Sequence, residues 1–214
     1  MITFDYLLPK TKQVLTELSQ AATMDDYTFV GGSALSCYLH HRLSEDLDFF
    51  TWHNTADVEK LLPIFNREDL KIINRSVQQT DILYKGVKVA FFSNKWENLK
   101  ISRSHLIGSI QIASVELLAV MKVNTLFLRA KYRDYYDLYC LVNQQFSIIE
   151  LYELSYSLLP WLTKRLFQIA LTFTDDIIDD NINHLSPVQL ISKKEIESFF
   201  LKKIKEWNKI IYKR

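Results

Sequence analysis

The run Tyr27-Thr28-Phe29-Val30 passes without a spacer into Gly31-Gly32-Ser33 and then into a helix-compatible stretch over residues 34 to 41. Aromatic and β-branched residues favour an extended, half-buried backbone. Adjacent glycines supply the unusual dihedral angles at which a strand can turn directly into a helix. The segment therefore reads as strand, tight turn, helix. The pair is conspicuous because the 214 residues hold only four Gly and four Pro, so there is no flexible linker, low-complexity tract or internal repeat, and boundaries must come from periodicity.

Residues 6 to 21 carry Leu7, Leu8, Val14, Leu15 and Leu18, the pattern of an amphipathic helix. Residues 46 to 51 alternate as a strand, and residues 55 to 65 read as a helix with Asn54 as its N-cap. Extended segments follow at 69 to 77, 80 to 84 and 87 to 93, with Lys85-Gly86 marking a hairpin between the last two. From Ser114 the pattern becomes helical, at 114 to 130, 132 to 143, 148 to 158, 161 to 174 and 193 to 211. The expected fold class is α+β: a mixed-sheet core over residues 1 to 112, then a helical bundle over 113 to 214. The helical unit is expected to pack on the core to bury faces such as Leu117, Leu118, Met121 and Leu128.

At 48% hydrophobic the chain is long enough for one substantial core, or a core and a smaller helical unit. Lys and Arg number 26 against 25 Asp and Glu, so no global basic field attracts nucleic acid and any basic patch is local. Cys37 and Cys140 fit neither a zinc pattern nor a disulfide scaffold and read as buried free thiols of a reducing compartment. The start lacks a signal-peptide pattern, and no run approaches the ~20 apolar residues of a membrane span. The expected location is the cytoplasm, with no membrane partner.

Asp46-Leu47-Asp48 places two carboxylates at i and i+2 of a strand, on one face, with backbone origins roughly 6.5 to 7 Å apart. One divalent ion fits between them; Mg²⁺ takes one or two carboxylates and fills its shell with substrate phosphate oxygens. The Gly31-Gly32-Ser33 turn complements the pair, because backbone N–H groups at a side-chain-free helix entrance can approach a triphosphate, with a hydroxyl added by Ser33. Singly, each element is commonplace, as a solvated Asp-x-Asp or a plain strand-helix connection. Joined across one helix they form a specific combination.

The segment Val30-Gly31-Gly32-Ser33-Ala34-Leu35, followed by His41-Arg42-x-Ser44-x-Asp46-Leu47-Asp48-Phe49-Phe50, resembles the AbiEii/AbiGii toxin family of nucleotidyltransferases, within the DNA polymerase β-like superfamily. Lys122, Arg129 and the run Lys131-Tyr132-Arg133-Asp134-Tyr135-Tyr136-Asp137-Leu138-Tyr139 are similar to the family's second motif. Phe173-Thr174-Asp175-Asp176, with Trp207, is a third echo, so the likeness spans most of residues 28 to 210. The resemblance implies a mixed-sheet nucleotidyltransferase core with a helical C-terminal half, an NTP substrate, and Mg²⁺ (or Mn²⁺) as cofactor. It implies Asp46 and Asp48 as catalytic metal ligands, Gly31, Gly32 and Ser33 on the triphosphate, and Lys122 as a catalytic residue on the nucleotide phosphates.

Read physically, Lys122 interrupts an otherwise apolar helix and needs an anion or an outlet to water. Arg129, two turns on along the same face, pairs with it to meet a triphosphate or an RNA backbone, which makes Arg129 a second nucleotide-binding candidate. Asp134 and Asp137 are i, i+3 neighbours expected to orient Lys122, Arg129 or Arg42 rather than to bind metal; a structural ion-pair network is an equal reading. Many polymerase-like enzymes carry a third carboxylate on a later strand. Here the matching strand, residues 87 to 92, has Ala90 where an acid is most natural, and the nearest acid is Asp81 on the strand before.

Other features have plainer explanations. The basic C-terminal stretch, Lys193 through Lys213 and Arg214, can track RNA phosphates but first describes a solvated helix face. Asp175, Asp176, Asp179 and Asp180 fit an exposed helical face; His40 and His41 lack a further ligand at metal spacing; Tyr135, Tyr136 and Tyr139 are core or cleft lining before they are base platforms. The expected activity is Mg²⁺-dependent transfer of a nucleotide from an NTP to an acceptor hydroxyl. The resemblance suggests an RNA or tRNA 3′ end and a toxin role beside a cognate antitoxin. Nucleotidylation of a protein or small molecule, and nucleotide binding without catalysis, are the rivals.

Overall fold

The computed structural model describes the chain apart from Met1, Asp57, Asp176, Asp179, Asp180 and residues 212 to 214. Three members of the acidic cluster, and Lys213 and Arg214 of the basic tail, thus lie outside the described residues. The chain forms two compact units, Met1–Leu118 and Ala119–Arg214, against an expected division at 112/113.

The first unit runs α1 (Pro9–Leu18), β1 (Thr28–Val30), α2 (Gly31–Leu39), β2 (Leu47–Thr51), β3 (Leu70–Arg75), β4 (Gln79–Tyr84), β5 (Val87–Ser93), α3 (Asn98–Ile101), β6 (Arg103–Ile107) and β7 (Ile110–Ala113). Its seven strands form one sheet in the order β3-β4-β5-β2-β1-β7-β6. The sheet is mixed: β2 pairs parallel with β5 and β1 parallel with β7, while β1 and β2 are antiparallel. The α+β expectation holds. One sheet face carries Phe29, Leu47, Phe49, Ile82, Val89 and Phe91, all fully buried. Phe49 packs between Phe29 and Phe91, with ring centroids 5.4 and 5.5 Å away. Burying each such ring contributes about 1.5–3 kcal/mol, which makes this face the anchor of the sheet.

Residues 55 to 65 do not form the expected α-helix. The described part has 3₁₀ turns at Val58–Lys60 and Leu62–Ile64. Pro63 explains the interruption: it has no N–H to continue the ladder, and its ring collides with the carbonyl four residues earlier. The hairpin at Lys85-Gly86 forms as expected, both residues taking positive φ (50° and 79°), as a two-residue turn between twisted strands requires. Strands β6 and β7 lie in a stretch to which periodicity assigned nothing. Their hairpin turns at Gly108, where a Cβ would stand 2.2 Å from the Ser19 carbonyl oxygen.

Helix α4 (Val115–Leu128) contains the division between the units. The second unit continues with α5 (Tyr132–Gln144), α6 (Ile148–Leu158), α7 (Lys164–Thr172) and α8 (Lys193–Ile211). Ser147 and Glu150 close a reciprocal capping box on α6, and Thr163 caps α7. Tyr152, Phe167 and Trp207 meet in the interior of the bundle. Tyr135, Tyr136 and Tyr139 are buried and belong to its core. Among the described residues no helix is long and apolar enough to cross a membrane.

Both cysteines are free and buried. Burial pushes the Cys37 thiol on α2 up to about 12, so almost none of it is thiolate near neutrality, and the thiolate is the reactive form. Iodoacetamide at pH 8 is expected to leave Cys37 unmodified in the native protein and to alkylate it after denaturation. Peptide mass mapping reads the difference; rapid native labelling would contradict this packing.

Candidate active site

The antiparallel register that aligns Val30 with Asp48 brings the end of β1, and hence the start of α2, beside the acidic strand. Gly31 opens α2 with φ 78°. A Cβ built on it would lie 2.2 Å from Asp48 Oδ2 and 3.0 Å from Cγ. Absence of a side chain is therefore what allows the turn and the carboxylate to touch. The first turn of α2 has no side-chain cap and no acidic residue, so its N–H groups are not spent on a capping side chain. Asp46, Asp48 and Phe50 are half-buried, while Leu47, Phe49 and Thr51 alternate with them on the buried face.

Gly31→Ala should therefore act twice. The left-handed backbone disfavours any L side chain, costing about 1–3 kcal/mol, and the added methyl must displace the Asp48 carboxylate. Misplacing a reacting group by about 1 Å costs on the order of 10²-fold in rate. The expected result is a loss of turnover of that order with a fall in melting temperature of about 4 °C or more; unaltered turnover would contradict the close packing.

Ser33 is buried, and its hydroxyl bonds the Asp46 carbonyl oxygen and lies 2.8 Å from Ser44 Oγ. It braces the acidic strand against the helix entrance. Arg42 is almost fully buried; its Nη1 donates to the Leu43 carbonyl at 3.0 Å and reaches Ser44 Oγ at 3.4 Å. Ser33, Arg42 and Ser44 thus form one connected support beneath Asp46, and Ser44 belongs to the site through these bonds.

Across the sheet, Asp48 pairs in register with Ala90 of β5, and Ala90 with Asp81 of β4. Directly opposed residues share a face, so Asp81 projects from the same face as Asp48, two strands away, roughly 10 Å between backbones. Ala90 leaves the position between them without a functional side chain. Asp81 is buried, and Gln79 Nε2 donates to both of its carboxylate oxygens at 3.0 Å. Gln79 was not apparent in the sequence, although its i, i+2 relation to Asp81 on a strand is the signal for it. Among the described residues no group of three or more His, Cys, Asp or Glu is placed to hold a metal ion.

The second unit holds the other predicted residues. Lys122 Nζ lies 2.9 Å from Asp134 Oδ1 and 2.7 Å from Asp137 Oδ2. Both carboxylates are fully buried, and the Lys122 side chain is 7% exposed. Arg129 Nε stands 3.4 Å from Asp134 Oδ2 with half of its side chain in solvent, an ion pair by distance but without hydrogen-bond geometry, since Oδ2 is otherwise unbonded. Lys122 is thus enclosed by its two acids. Arg129 is the member of the cluster that reaches water.

A family model described as nucleotidyl transferase AbiEii toxin, type IV toxin–antitoxin system, matches residues 13–96 and 101–208. The chain belongs to the AbiEii nucleotidyltransferase toxin family. The match includes the Gly31-Gly32-Ser33 turn, the Asp46 and Asp48 pair and the Lys122 cluster, and it makes this AbiEii-family chain a nucleotidyltransferase. An uncharacterized protein of Aquifex aeolicus is 23% identical over 206 residues, covering 94% of this chain and 97% of its own length. Among solved structures, MenT4, a nucleotidyltransferase toxin of Mycobacterium tuberculosis, aligns at TM-score 0.55 and 13% identity over 90% of this chain and 80% of its own. JHP933 of Helicobacter pylori aligns at TM-score 0.53 and 16% identity over 94% and 93%. These two likenesses establish that the AbiEii-family fold described above is shared.

Proposed function

We propose that this AbiEii-family protein transfers a nucleotide from an Mg²⁺-bound NTP to the 3′ hydroxyl of an RNA, tRNA being the leading candidate. The observation that carries this reading is the contact of Gly31 with the Asp48 carboxylate. A triphosphate seated on the N–H groups of the turn comes up against a carboxylate, and two like charges at that range need a cation between them. The donor set suits Mg²⁺, or Mn²⁺: two carboxylates, Asp48 on β2 and Asp46 immediately before it, with the remaining positions open to phosphate oxygens and water. The ion, when bound, neutralises charge developing on the α-phosphate and on the departing pyrophosphate.

Gly31 and Gly32 present backbone N–H groups to the triphosphate, and Ser33, Ser44 and Arg42 keep Asp46 in place. The acceptor oxygen bonds to the α-phosphorus as the bond to the bridging oxygen breaks; pyrophosphate leaves and the hydroxyl proton passes to water. Lys122 takes a supporting part between Asp134 and Asp137, and Arg129 is the cation of that cluster available to phosphate. The family description supports a toxin role with a cognate antitoxin as partner. The cytoplasm, where NTP, Mg²⁺ and RNA occur together, is the compartment this chemistry requires.

The test is acceptor identification. Purified protein is incubated with each α-³²P NTP, Mg²⁺, total RNA and cell protein, and the products are separated by nuclease and protease sensitivity. Label confined to RNA supports the reading. Label confined to protein overturns the RNA acceptor, and NTP binding without any label overturns catalysis.

A further inference from the structure

The first unit contains an open cleft of about 500 Å³ whose wall includes Phe50, Phe92, Gln79, Asn54, Asn94 and Lys95. Its position follows from the register. Phe50 lies two residues beyond Asp48 on β2, Phe92 two beyond Ala90 on β5, and Gln79 two before Asp81 on β4, each on the carboxylate face. The cleft therefore begins one side-chain step, roughly 6.5 to 7 Å, along the strands from the acidic pair. Phe50 and Phe92 stack with ring centroids 4.7 Å apart, and both are half-buried. Asp81, an acceptor only when ionised, fixes the orientation of the Gln79 amide: the NH₂ faces Asp81, leaving the carbonyl oxygen to accept.

We infer that this cleft seats the unpaired terminal base of a single-stranded RNA acceptor. Aromatic surface beside carboxamides matches a flat ring with donors and acceptors on its edge, and Lys95 at the rim suits the adjoining phosphate. The direction of attack selects acceptor over donor. This step rests on the function proposed above: in-line displacement places the entering hydroxyl opposite the departing pyrophosphate. Pyrophosphate at the Gly31-Gly32-Ser33 turn occupies the β1 side of Asp48, so the acceptor enters from the β5 and β4 side, where the cleft lies. A terminal nucleotide carries its base and reactive hydroxyl on one sugar, so the base must sit within a short step of the acids. Asp81 is then a positioning residue, acting through Gln79.

The test uses the full chain and a fluorescein-labelled single-stranded RNA pentamer, with binding read by anisotropy in the absence of NTP and each Mg-NTP measured separately by equilibrium dialysis. Phe50→Leu and Phe92→Leu keep apolar volume but remove the π face. Each should weaken RNA binding about tenfold or more, while Phe92→Tyr restores it and NTP binding stays within about twofold. Photocrosslinking of a 4-thiouridine pentamer to the unaltered protein, mapped by mass spectrometry, needs no variant and should mark peptides containing Phe50 or Phe92. Unchanged RNA affinity in folded variants, crosslinks elsewhere, or weakened NTP binding with intact RNA binding would overturn the inference. Since RNA binding is read without turnover, a protein that binds RNA through this cleft yet transfers nothing would refute the proposed reaction and leave the cleft assignment standing.

Discussion

Lys122→Met is expected to lower the melting temperature by roughly 12 °C or more, or to leave the Ala119–Arg214 unit unfolded. The reason is charge left behind. Lys122 is the cation shared by Asp134 and Asp137, at 2.9 and 2.7 Å, and both acids are fully buried. Removing one partner of a buried ion pair costs about 3–5 kcal/mol, because the remaining charge keeps its desolvation penalty and loses its compensation. Each kcal/mol moves the transition by about 4–8 °C in a domain of this size. Arg129, at 3.4 Å and half exposed, cannot replace the lost ammonium. Adding Asp134→Asn to Lys122→Met removes a fully buried carboxylate that has lost its ammonium and should recover part of the loss. Circular dichroism melts of the single and double variants provide the check; a Lys122→Met melt within a few degrees of the parent would contradict this.

Asp48→Asn should have the opposite profile, a folded protein with little chemistry. Asn preserves shape but removes the charge that faces the helix entrance, at the carboxylate that Gly31 touches. Loss of one preorganised group acting on the transferring phosphate costs about 10²–10³-fold in turnover. Incorporation of label should fall by at least that much while the far-ultraviolet spectrum is retained. Retention of more than about a tenth of parental activity would mean that Asp48 is not part of the catalytic machinery. The contrast comes from burial: the carboxylates of Asp134 and Asp137 are fully enclosed around Lys122, whereas that of Asp48 is half-buried, so a neutral substitute at Asp48 should disturb folding far less.

The donor side of the site was legible because it is local. A strand, two glycines, one helix and Asp46-Leu47-Asp48 lie within about twenty residues, and periodicity assigns them to elements without long-range information. The helices of the second unit were legible for the same reason, with caps such as Ser147 and Glu150 written into adjacent positions. The stretch from 55 to 65 misleads because its apolar spacing is helical while Pro63 breaks the hydrogen-bond ladder. Strands β6 and β7 are short, and their hairpin depends on Gly108 fitting against the Ser19 backbone, far earlier in the sequence. Pairings across strands were the least legible. That Ala90 would separate Asp81 from Asp48 in one row, and that Gln79 would hold Asp81, follows from register, which individual strand patterns do not specify. Lys122 was legible as an apolar helix's one cation; that two acids from α5 enclose it is a tertiary fact.

The proposed direction of nucleotidyl transfer by Asp46 and Asp48 is read by comparing α-³²P with γ-³²P NTP as donor, using the parent protein and an Asp46→Asn/Asp48→Asn variant in the presence of Mg²⁺ and RNA. The α-label should enter the acceptor, the γ-label should be released as pyrophosphate, and the variant should incorporate neither. Incorporation of γ-label would identify phosphoryl transfer instead, and α-label incorporated equally by the variant would remove Asp46 and Asp48 from the reaction.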